Sequence, residues 1–186
     1  MDTFLTFTGK NFDPYYVTEK DISSMDIAHA LSQICLLNGH LRSFYSLAQH
    51  SIALVNEAKS RNYGPRVCLI CLLGNAYLAY LPDIPLSLRA RLDKYDLMQR
   101  QIQETIYDKF NLTEISPEEK KLYEDLDKDV MDNELCALMP GMEKTMPATL
   151  NISIDCSEAD HRLIERTYSK LLMKLSQIVR QLSDLE

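Results

Sequence analysis

Residues 67–81 constrain the fold most, because almost every side chain there is apolar. A bilayer-spanning helix needs about 20 consecutive apolar residues, and this run is shorter. It is also interrupted by Gly74-Asn75. Gly64-Pro65 precedes it and Pro82-Asp83-Ile84-Pro85 follows, so rigid breaks bound it on both sides. The pattern predicts a central buried helix over 66–81. A helix apolar on every face must be covered on every face, so the rest of the chain has to supply amphipathic partners.

Those partners are readable. Ser23 and Ser24 stand where a cap is wanted before Met25, Asp26, Ile27 and Ala28, and Asn38-Gly39 ends that helix. A second helix is expected over 42–62, with Phe44, Leu47, Ile52, Leu54 and Val55 as its apolar surface. A long helix with charges on one side is expected over 87–110. Ser116-Pro117-Glu118-Glu119 opens another, which runs to about Leu138 before Pro140-Gly141. Residues 141–155 read as a loop. The last helix, 157–185, carries Leu163, Ile164, Tyr168, Leu171, Leu172, Leu175, Ile178, Val179 and Leu182 at helical spacing. Residues 1–20 read as an irregular arm with a short strand pair near Phe4 and Phe7. The expected fold class is all-α, about six helices in one domain over 1–186.

Composition narrows the function classes. Hydrophobic residues make up 46% and charged residues 25%, an ordinary globular balance. The net charge of −7 repels a phosphate backbone at long range, so no nucleic-acid partner is expected. Neither a signal peptide nor a membrane span is read from the sequence. The five Cys are an odd set, expected to be reduced thiols in the cytoplasm. Cys68 and Cys71 have redox-motif spacing, but in an apolar helix they read as core residues.

The chemistry-bearing residues are His29, His40 and His50, the segment 74–83, and the acidic stretch 124–134. A lone helical His is more often packed or solvated than a ligand. The block Asn38-Gly39-His40-Leu41-Arg42-Ser43-Phe44-Tyr45-Ser46-Leu47-Ala48-Gln49-His50-Ser51 raises the interest of His50. With Thr8-Gly9-Lys10, Phe12-Asp13-Pro14, Asp26-Ile27-Ala28-His29-Ala30-Leu31-Ser32, Ala79-Tyr80-Leu81-Pro82-Asp83-Ile84-Pro85, Lys109-Phe110, Asp127 and Glu134, it resembles the HD-domain phosphohydrolases. The likeness is to small bacterial and phage members similar to 5′-deoxynucleotidases, and it spans most of the chain.

In such enzymes a helical His, a His-Asp pair on the next helix and a distant Asp converge on one divalent metal, which polarises a phosphate and activates water. The resemblance assigns the first His to His50 and the distant Asp to Asp127. The His-Asp pair falls on Gly74 and Asn75. Gly74 has no side chain to donate, and Asn75 offers only a neutral carbonyl oxygen. The acidic residue usual later in that helix falls on Leu78, whereas the one after the break is kept as Asp83. His50 and Asp127 are two strong ligands, where a catalytic zinc-like site uses three.

The expectation is therefore a catalytically inactive pseudoenzyme that binds a protein partner or a small phosphorylated ligand. His40 and Arg42 are its ligand-binding candidates and Asp83 a vestigial catalytic one. No cofactor is expected. The alternative is an active metal-dependent phosphohydrolase of nucleoside monophosphates or related esters. It would need a divalent metal on a rearranged site, with Asn75, Asp83, Glu124 or His40 replacing lost groups. In the plainer reading His50 is a packed residue hydrogen-bonded to Asp127 or a backbone carbonyl. Asp83 is then a turn acceptor, the acidic run a solvated face, and His29 and His40 structural. His161 has no assigned role. A homodimer through 87–110 and 157–185 is a further expectation.

Overall fold

The computed structural model describes residues 3–143 and 145–185. A hairpin of β1 (Phe4–Leu5) and β2 (Asn11–Phe12) comes first, with Phe4 opposite Phe12. Helices follow: α1 (Ser24–Gln33), α2 (Leu47–Ser60), α3 (Pro65–Leu73), the single turn α4 (Leu86–Arg89), α5 (Tyr95–Lys109), α6 (Pro117–Leu138) and α7 (His161–Ser183). The fold is all-α, as expected. No described helix is long and apolar enough to cross a membrane.

α3 is the centre. Every side chain from Val67 to Leu73 is buried, and α2, α6 and α7 pack around it. The stripe Ile164, Tyr168, Leu172, Leu175 and Val179 of α7 is spent on α1 and α3 within the chain.

Five boundaries differ from those expected. The first helix ends at Gln33 and not at Asn38-Gly39, because Ile34 turns to an extended conformation and a separate 3₁₀ turn, Leu36–Gly39, follows. The apolar run does not continue as one helix to 81: α3 stops at Leu73, and a 3₁₀ turn, Ala76–Ala79, follows Asn75. The freed carbonyls are capped from outside, because the Tyr168 hydroxyl donates to Leu72 O at 2.8 Å and Gln103 Nε2 to Leu73 O at 2.9 Å. The second helix starts at Leu47, where Ser46 and Gln49 form a reciprocal capping box, a stronger start than any at 42. The expected 87–110 helix is split into α4 and α5 around residues 90–94. The last helix begins at His161, because the Asp160 side chain accepts from Arg162 N and caps it there.

The arm is more ordered than its sequence suggests. Phe12 is fully buried and stacks on Tyr80 with ring centroids 4.4 Å apart. Buried Asp26 accepts from Thr8 N at 2.7 Å and from Thr8 Oγ1 at 2.9 Å, pinning the hairpin to α1.

Candidate functional site

Between α1 and α2 the chain makes a closed loop. Leu36 N donates to Tyr45 O at 2.8 Å and Leu47 N to Ile34 O at 2.9 Å, while a 3₁₀ turn, Leu36–Gly39, reverses direction. Leu37 (φ 53°), Asn38 (φ 54°) and Gly39 (φ 82°) are all left-handed, costing roughly 1–2 kcal/mol at a residue such as Leu37. Arg42 N donates to Leu138 O at 2.9 Å, anchoring the loop on the end of α6. This directs Tyr45 and the start of α2 at one face of α6.

That face is set by helical spacing. Tyr123, Asp127, Val130 and Glu134 recur at intervals of three and four residues and so share a side of α6. His50, in the first turns of α2 and wholly buried, meets two of them. Its Nδ1 is 2.7 Å from Glu134 Oε2, and its Nε2 is 3.0 Å from Asp127 Oδ1. The Tyr45 hydroxyl donates to the other Glu134 oxygen at 2.8 Å. Burial opposes charge on the imidazole, but Glu134, with hydrogen bonds to both carboxylates, overrides this and raises its pKa to about 10. Burial first, then the Glu134 charge, pushes the Tyr45 phenol above the usual range, so it stays a donor. With a carboxylate oxygen within hydrogen-bond distance of each ring nitrogen, the raised pKa favours a doubly donating imidazolium, a form with no free lone pair.

Gly74 lies at the C-cap of α3 in ordinary helical conformation, φ −57° and ψ −32°. The backbone does not require glycine there, but the space does. A Cβ at this position would run into the Tyr123 phenol, with Cε2 only 2.6 Å away. Burial and then the Asp127 charge push the Tyr123 phenol well above the usual range. Where the resemblance calls for a histidine side chain, an aromatic ring from α6 stands instead.

The other candidates are dispersed. Leu78 is buried in the 3₁₀ turn and Asn75 is half-buried at its start. Asp83 is half-buried between its prolines, where its charge reaches Tyr77 and Tyr95 rather than His50. Glu124 is exposed and lies 3.8 Å from Lys120. His40 is exposed, and the Arg42 guanidinium pairs with Glu143. His29 stacks on Phe7 and reaches Glu165 Oε2 at 3.1 Å, a structural role. His161 opens α7. Among the described residues, no three His, Cys, Asp or Glu side chains form a group able to hold a metal. The role of Glu134 was missed in the sequence, although its seven-residue spacing from Asp127 already put both on one face.

A cleft of about 640 Å³ opens beside this centre, between α5, α6 and residues 112–115. Tyr123 belongs to both places: it lines the cleft and fills the space beside Gly74.

No known family model matches the chain. The uncharacterised protein YfdR of Escherichia coli (strain K12) is 36% identical over 112 residues. The match covers 60% of this chain and 60% of that protein's length.

Proposed function

We propose that this protein is a non-catalytic binding protein built on a scaffold like that of the HD phosphohydrolases, acting through a partner or small ligand. The observation that carries the reading is the pairing of His50 with Asp127 and Glu134 at 3.0 and 2.7 Å. A metal ligand needs a neutral imidazole with a free lone pair. Here a cation could displace the proton only by also breaking a buried ion pair. The Tyr123 ring beside Gly74 supports the same reading, since it stands where a further ligand would project. The proposal includes a cytoplasmic setting, with which five free thiols are compatible.

The test is metal analysis of the purified protein, with a hydrolysis screen on nucleoside monophosphates and an aryl phosphate. The expected result is substoichiometric metal and no turnover above that of His50→Ala. Stoichiometric divalent metal, with turnover abolished by His50→Ala or Asp127→Ala, would overturn the proposal in favour of an active phosphohydrolase.

A further inference from the structure

We infer that the cleft between α5 and α6 is a binding site for a small organic cation, an alkylammonium or alkylguanidinium group, and not for a phosphate ester. The inference deepens the binding reading above by naming the ligand class.

Charge is the first argument. The cations lining the cleft are Arg89, Arg100 and Lys120. Arg89 is already committed, with its Nε on Asp96 Oδ1 at 3.0 Å, a further bond to Gln99, and the guanidinium over the Tyr95 ring. Lys120 lies 3.8 Å from Glu124. Against Arg100 there remain Glu104 and Asp108 on α5 and Glu114 in the adjoining turn, so the unmatched charge is negative. A concave surface with an excess of carboxylates raises the local concentration of cations and lowers that of phosphates.

The floor is the second argument. Tyr107 and Tyr123 line the cleft together with Ile70 and Leu112, so aromatic and aliphatic surface lies beneath the carboxylates. A cation over a tyrosine face gains roughly 0.5–1 kcal/mol when exposed and more when desolvated. The alkyl stem of the ligand finds apolar wall at the same depth. The floor is also held firmly. Gln103, which also lines the cleft, bridges Leu73 O at 2.9 Å and Tyr77 N at 3.3 Å and cannot swing into the cleft without uncapping α3. The volume of about 640 Å³ is that of an ordinary small-ligand pocket.

Butylammonium and butylguanidinium are the probes, with adenosine monophosphate and inorganic phosphate as competitors, followed by chemical-shift perturbation of the tyrosine rings. The expected result is saturable binding in the roughly millimolar range, with shifts at Tyr107 and Tyr123. The pair Asp108→Asn and Glu114→Gln should weaken it about fivefold or more. Removing two charges on the outer face of α6 instead, by Glu118→Gln and Asp125→Asn, should leave it unchanged and so excludes general attraction to an acidic protein. Tyr107→Leu should weaken binding, whereas Tyr107→Phe should keep it. The inference is overturned if the phosphates perturb the cleft and the cations do not, or if both charge-removal pairs act equally. Neither result bears on turnover, so a failure here is distinct from a failure of the non-catalytic reading.

Discussion

His50 Nδ1 lies 2.7 Å from Glu134 Oε2, with the two side chains 0% and 1% exposed. Burying a charge is tolerated only when its partners replace water, and this pair does so through Tyr45 on one side and Asp127 on the other. Asp127, 34% exposed, is where the network reaches solvent. The network joins α2, which carries His50, to α6, which carries Asp127 and Glu134.

His50 stability should depend on pH in a defined direction. Its folded pKa of about 10 lies above the ordinary 6.5, so its contribution is fully present below about pH 6.5 and is lost as pH rises toward 10. The stability gap between the wild type and His50→Gln, measured by urea unfolding, should narrow across that window by a few kcal/mol. Ring NMR should find His50 protonated at pH 8. A neutral imidazole at that pH would contradict the network.

Removing one partner should cost more than removing a hydrogen bond. His50→Ala leaves Glu134 buried and uncompensated, at about 3–5 kcal/mol. Tyr45→Phe removes one bond to the same carboxylate, at roughly 1.5–3 kcal/mol. If chemical denaturation gave the two variants equal stability, His50 would not be the principal counter-charge.

How much of this was legible depends on which interactions are local. The capping signals at Ser23 and Ser116 placed α1 and α6, because a cap is written within a few residues. The end of α3 was not legible, since its carbonyls are satisfied by Gln103 and Tyr168, remote in sequence. His50 and Asp127 were found through the resemblance, and their contact follows from helix packing. Tyr123 had no such signal. Its role exists only because position 74 lacks a side chain and α6 passes directly over it.

Glu57 should act as a clamp. Buried on α2, it accepts from Asn151 N at 3.0 Å and Ile152 N at 3.1 Å, and Arg61 Nε donates to it at 2.8 Å. Burial opposes the carboxylate charge, but Arg61 and the two amides prevail and hold its pKa below the usual range. Its contribution is therefore present above the ordinary carboxylate pKa and is lost as pH falls through the lowered value. Glu57→Gln should cost about 1–3 kcal/mol. Hydrogen exchange at the Asn151 and Ile152 amides should quicken while α3 stays protected. Unchanged exchange at those two amides would remove the clamp.

The thiols of α3 should be inert. Cys68 and Cys71 are buried, and burial pushes both above the usual thiol range, so little nucleophilic thiolate forms at neutral pH. A thiol reagent applied to the native protein should leave both unlabelled until denaturant is added. Rapid native labelling of either, or formation of a Cys68–Cys71 disulfide under mild oxidant, would show that the helix opens readily.

Gly74 and Tyr123 should behave as one unit. Gly74→Ala places a methyl group against the Tyr123 ring, an overpacking that costs typically about 1–3 kcal/mol despite the gain in helix propensity. Tyr123→Leu alone leaves a void beside glycine and also destabilises. Together the two changes should cost less than their sum, because the methyl enters space the ring has vacated. A double-mutant cycle should give a favourable coupling of roughly 1 kcal/mol or more. Strict additivity would mean that the ring does not press on position 74. The same geometry governs any attempt to rebuild a His-Asp pair by Gly74→His and Asn75→Asp. The imidazole has nowhere to go until Tyr123 is cut back. The pair should therefore unfold the protein at lower denaturant than the wild type, and adding Tyr123→Ala should recover part of that loss.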